Sequence, residues 1–163
     1  MREREDLAST PTRDLAVVRL RRFPLRVWAR AHEHHEELLR EFALLALDAQ
    51  RSPGAVPARL VALVARLQER YAAVVAAPTE AREAALARGE RETELVYEVP
   101  PTAAAAAQEL GALLEEADEF CARGQLLTLA SRPEVVAFRR WFVEEFTRQV
   151  AGGAPRPWPG PLD

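Results

Sequence analysis

The chain has 163 residues, 48% of them hydrophobic, and 22 basic against 25 acidic side chains, for a net charge of −3 at pH 7. That size and apolar content suit one domain with its own core, while the slightly acidic balance argues against nucleic acid and gives no attraction to anionic membranes. The single Cys121 excludes an intramolecular disulfide and a cysteine-based zinc cluster, and the use of Arg alone among Lys and Arg, with no Asn or Ile, marks a GC-rich bacterial genome.

Residues 1–13 alternate charges and then run through Ser9-Thr10-Pro11-Thr12, so they read as a mobile arm ahead of a single helical domain at 14–153. No apolar run of signal or spanning length follows the charged start, which predicts a cytoplasmic protein with no membrane association. Residues 15–22 alternate, with Ala16, Val18 and Leu20 on one side, and predict a short strand. Pro24 fits a helix's first turn, so the strand passes almost directly into the first helix.

That helix repeats Trp28, Ala31, His35, Leu38, Phe42, Leu45 and Ala49 at helical spacing and holds all three histidines. The turn at residues 51–54 ends it. A second helix buries Leu60, Leu63, Val64, Leu67, Tyr71, Val74 and Val75 and ends or kinks at Pro78. Thr79 caps a short accessory helix closed by Gly89. Residues 94–99 form a second strand, the natural partner of the first, with either pairing direction open.

A third helix from Thr102 carries Ala106, Ala107 and Gly111, small enough for a neighbouring helix to approach closely. Leu126, Leu127 and Leu129 follow in a connection that must be covered. Ser131-Arg132-Pro133-Glu134 has the capping-box pattern and opens the last helix, which buries Val135, Phe138, Phe142, Phe146 and Val150. Residues 154–163 form a Pro-rich tail around Trp158, which either folds back on the core or offers itself to a partner. The fold class is therefore mainly α: a helical bundle of about four main helices and a short accessory helix, with a minimal two-stranded β ribbon.

Candidate chemistry concentrates on the first helix. His32 with His35 and Glu36 could present two or three ligands to one metal, which leaves open a hemerythrin-like or DinB-like metal-binding enzyme or oxygen-binding module. The spacing does not match H-E-x-x-H, and carboxylates of other helices would have to complete the site. The bland reading makes His35 a hydrogen-bonded histidine at a helix seam, with His34 facing water. Arg22, Arg26 and Arg30, with His34 at i,i+4 spacing, suit an anion or a partner's acidic patch near the helix N-terminus, unless they are a solvated basic face. Cys121 reads as buried packing.

Phe23-Pro24 leading into the histidines, Tyr97-Glu98-Val99-Pro100-Pro101, and Glu134-Val135-Val136-Ala137-Phe138-Arg139-Arg140-Trp141 together resemble an uncharacterised family of small, mostly helical actinobacterial proteins. The resemblance implies a setting in partner-switching sigma-factor regulation and carries no catalytic motif. The expectation is a non-enzymatic regulatory module that needs no cofactor, binds a protein partner, and leaves homo-oligomer formation open.

Overall fold

Val18 and Leu20 are apolar, alternate with charged neighbours, and need a ladder partner to bury their backbone. In the computed structural model, which describes residues 15–48, 56–124 and 126–163, that partner is the second strand. β1 (Ala16–Pro24) pairs antiparallel with β2 (Glu92–Val99), setting Ala16 opposite Val99 and Leu20 opposite Leu95. The expected arm at residues 1–13 and the turn at 51–54 lie outside the described residues.

Between Leu20 and Phe23 the register slips, because Phe23 lies opposite Thr93. This β-bulge reverses the alternation, so Phe23 joins Val18 and Leu20 in the core instead of Arg22. Arg22 takes a positive φ of 54° there, a conformation that costs a non-glycine residue about 1 kcal/mol or more.

Four helices make up most of the described chain: α1 (Leu25–Asp48), α2 (Val56–Ala87), α3 (Thr102–Ala122) and α4 (Pro133–Val150). α1 starts one residue after Pro24, with the Leu25 amide donating to the Arg91 carbonyl (3.1 Å). It links two hydrophobic cores. Its first turns, with the ribbon, α4 and Ala85 of α2, form one around Phe23, Val27, Ala31 and Phe138. Leu38 and Phe42 form the other with Leu60 and Leu63 of α2 and Leu113, Leu114 and Ala117 of α3.

Four expectations are corrected, the first being Val75, which is exposed and not in the buried stripe of α2. Pro78 does not end α2, and no separate accessory helix exists among the described residues: one helix runs through Pro78 to Ala87. A mid-helix proline costs roughly 3 kcal/mol, but burial on both sides offsets it, since Leu60 and Leu63 anchor one core while Ala85 and the partly buried Tyr71 and Val74 serve the other. Ser131 is not the cap of α4. That position is Arg132, in extended conformation, with Pro133 beginning the helix; the Ser131 Oγ has no hydrogen-bond partner among the described residues, and the Ser131 amide donates to Asp118 (2.9 Å). Finally, Leu127 and Leu129 are not covered.

The close approach expected at Gly111 is present, for a Cβ there would stand 3.0 Å from Val143 Cγ2 of α4. None of the helices among the described residues is long and apolar enough to cross a membrane.

Candidate functional site

The histidines occupy the stretch of α1 between the two cores, and the structure separates them. His32 is exposed and stacks on Trp28 one turn earlier (5.1 Å between rings, 12° apart). The Arg82 guanidinium also lies over the Trp28 ring (3.9 Å), so α2 meets α1 through a cation–π contact. His34, expected to face water, is half-buried and lies 3.7 Å from Asp118 of α3. His35 is in the seam. Glu36 is exposed, and among the described residues no three His, Cys, Asp or Glu side chains are grouped to hold a metal ion.

The arginine cluster is divided as well. Arg30 pairs with Glu134 (3.7 Å), and Arg26 stands exposed. Arg22 turns to the C-terminal tail: its Nη1 donates to the carbonyls of Trp158 (2.9 Å) and Gly160 (3.1 Å), while the Trp158 amide donates to the Arg21 carbonyl (3.0 Å). Trp158 is 2% exposed and packs on Phe138 and Trp141. Of the two readings of Trp158, the structure selects the folded-back one.

Two polar nodes escape sequence reasoning. In the first, Asp118 accepts from Arg139 Nη2 (2.7 Å) and from the Ser131 amide. Burial would raise the Asp118 carboxyl, but the nearby His34 ring and the bonds from Ser131 and Arg139 outweigh it and hold it well below the usual carboxylate range. In the second, Gln149 binds β1 as a strand would, accepting from the Arg19 amide (2.8 Å) and donating to the Arg19 carbonyl (3.0 Å). Glu145, 1% exposed, takes the other Gln149 amide hydrogen (2.7 Å), the Arg156 amide (3.0 Å) and Arg148. A signal existed for both. Arg139 repeats with Val135, Phe142 and Phe146 on the helical wheel, and Glu145 with Phe138 and Phe142, so each is a charge inside an apolar stripe.

Between the cores, a cavity of about 220 Å³ opens among α1, α3, α4 and β2, lined by Ala31, His35, Tyr97, Ala107, Phe138 and Arg139 among others. His35 has its pKa lowered to about 4, first by burial and then by His34 and Arg139. Burial pushes the Tyr97 phenol up to about 12, opposed by Arg82. Both side chains stay uncharged around neutrality, which suits binding better than proton transfer.

The His35 shift fixes a pH dependence. The unfolded chain takes up a proton near pH 6.5 and the folded chain resists it until about 4, so stability is fully present above 6.5 and declines as pH falls through that window. The decline attributable to this group is about 3 kcal/mol. Urea denaturation of the native chain and a His35→Phe variant at pH 7 and pH 4.5 measures it. A native chain no more acid-sensitive than the variant contradicts the assignment.

On the outer side of this seam, the connection from α3 to α4 is held from two helices. Glu41 of α1 accepts from the Leu127 amide (2.7 Å), the Thr128 amide (2.9 Å) and the Thr128 hydroxyl (2.7 Å), and these bonds, against the cost of burial, lower its pKa. Asp118 of α3 holds the Ser131 amide. On that fixed backbone Leu127 is 94% and Leu129 81% exposed. They border a groove shared with Arg30, Glu33, His34 and Glu37 of α1. Cys121 is buried beneath, its thiol pushed up to about 11 by burial and by Asp118 and Glu41. No family model, no curated protein and no solved structure matches the chain.

Proposed function

We propose that the protein is a non-enzymatic, cytoplasmic regulatory module that binds a protein partner through the connection between α3 and α4. The observation that carries this reading is the pair Leu127 and Leu129, displayed to solvent on a backbone held by Glu41 and Asp118. An exposed leucine on a loose loop would lose much of its binding gain to ordering. Here the ordering is already done within the fold, and burying one such side chain contributes about 1.5–3 kcal/mol. The fitting partner is a protein with an apolar groove that receives both leucines and a polar rim that meets Arg30, Glu33 and Glu37. The four helices serve as a bundle that displays the loop. The resemblance at Phe23-Pro24 and residues 134–141 supports a place in bacterial, partner-switching stress regulation.

The test uses a photo-crosslinking residue at position 127 in the intact chain, with the same residue at exposed Leu86 as control. The expected result is one protein captured from position 127 and not from 86, with capture abolished by Leu129→Glu. Because both leucines are exposed, the double variant Leu127→Glu/Leu129→Glu should unfold within about 0.5 kcal/mol of the native chain. Equal capture from both positions, or capture that survives Leu129→Glu, sinks the proposal. A second copy of this chain at position 127 makes the loop a self-association face.

A further inference from the structure

The cavity between the cores holds a charge that the fold leaves incompletely matched. Arg139 is 6% exposed and uses Nη2 on Asp118 (2.7 Å). Its Nε and Nη1, like His35 Nε2, are shielded from solvent and have no hydrogen-bond partner among the described residues. Buried N–H groups of a guanidinium are costly to leave unpaired. Both residues line the cavity, and apart from His32 and the Tyr97 phenol the rest of its wall is apolar, with Phe23, Trp28, Ala31, Leu110, Leu114 and Phe138 among it.

A second apolar cavity of about 310 Å³, between α2 and α3, shares Tyr97, Ala107, Leu110 and Phe142 with the first. The small side chain of Ala107, which lines both, leaves this space open where a larger one would close it. The exposed His32 stands at the rim.

We propose that this chamber binds a small apolar carboxylate, its acid group at Arg139 and His35 and its hydrocarbon body along Ala31, Ala107 and Phe138. The chemistry selects the class. An apolar wall favours a hydrocarbon or aryl body, and the free guanidinium hydrogens favour an anionic acceptor. Asp118 already pairs with Arg139, so each added negative charge is in surplus, and a monoanion costs less to bury there than a phosphate dianion. A neutral His35 can donate from Nε2 without adding charge. The site is separate from Leu127 and Leu129.

Calorimetric titration of the intact chain with octanoate and with octanol at neutral pH tests the proposal. Octanoate should bind at least about tenfold more tightly than octanol, the effect of one charge-assisted hydrogen bond. Arg139→Gln should bring octanoate down to the octanol affinity and leave octanol unchanged. Ala107→Phe, which fills the wall shared by both cavities and removes no charge, should abolish binding of both. Leu127→Glu should change neither. Should Arg139→Gln or Ala107→Phe fail to fold, the ratio of the two ligands on the unaltered chain still decides. Octanol binding as tightly as octanoate, no octanoate binding at millimolar concentration, or full octanoate affinity in a folded Ala107→Phe chain overturns the proposal.

Discussion

Asp118→Ala should remove about 3–5 kcal/mol of stability, the loss found when one partner of a buried ion pair is deleted. The size follows from what stays behind. Arg139 keeps its charge inside the protein, with Nε and Nη1 already unpartnered and Nη2 now released as well. The Ser131 amide loses its acceptor, and with it goes one of the two carboxylates that fix the connection bearing Leu127 and Leu129. Against a typical stability of 5–15 kcal/mol, the melting temperature should fall by about 10 °C or more.

The double variant Asp118→Ala/Arg139→Met supplies the control. It removes both charges and keeps an apolar side chain in the seam, so it should recover most of the loss, giving a coupling energy well above 1 kcal/mol. The pH dependence has a definite sign. Asp118 is held below its ordinary pKa in the fold, so its contribution is full above the unfolded value near 4 and is lost as pH falls toward the folded one. Asp118→Asn should flatten that acid limb. A single variant that loses less than about 1 kcal/mol, measured by urea denaturation, would show that solvent already reaches Arg139.

The legibility of the sequence stopped at long-range polar contacts. Period-two alternation at Val18 and Leu20 marked β1, and the helical spacing of Ala31, Leu38 and Phe42 marked the buried side of α1, because burial of one face leaves a local imprint. The bulge left none. Arg22, at a positive φ, also donates to carbonyls of Trp158 and Gly160, more than a hundred positions away. Pro78 misled for the complementary reason: its local cost is real, and α2 tolerates it through contacts with two cores.

The candidate site shows the same divide. The wheel placed a hydrogen-bonded His35 at a seam, which is where it lies, but its Nε2 has no hydrogen-bond partner among the described residues. It placed His34 toward water, wrongly, because the neighbour Asp118 belongs to another helix. Gln149 drew no expectation from the sequence, for its burial depends on the Arg19 backbone coming beside it. Leu126, Leu127 and Leu129 carried the rule that leucines are covered; Leu126 packs on the second core, and the rule fails at Leu127 and Leu129, where Glu41 holds the loop.

Trp158→Ala should be the other costly substitution, at about 3–5 kcal/mol for truncation of a buried large aromatic. The tail around it is part of the folded unit. The Trp158 ring meets Phe138 at 6.0 Å and Trp141 at 5.5 Å, both edge-to-face, and its indole N–H donates to the Pro161 carbonyl (2.8 Å). Trp141 donates to the Arg156 carbonyl (3.3 Å), and Leu162 packs on the same core. Gly160 is required because a Cβ there would come within 2.8 Å of Trp158 Cε2.

Losing the indole therefore opens a cavity against Phe138 and loosens the hold on Arg22. Arg22 would then keep its strained φ with less in return. Arg22→Gly in the Trp158→Ala background should consequently cost less than it does in the native chain, because glycine adopts a positive φ freely and the lost guanidinium contacts were already weakened. A thermal denaturation cycle over the native chain, the two single variants and the double variant measures this coupling. Strict additivity would mean that the bulge and the tail are held independently. A Trp158→Ala loss below about 1 kcal/mol would make residues 154–163 an appendage, and Phe138 would need another cover.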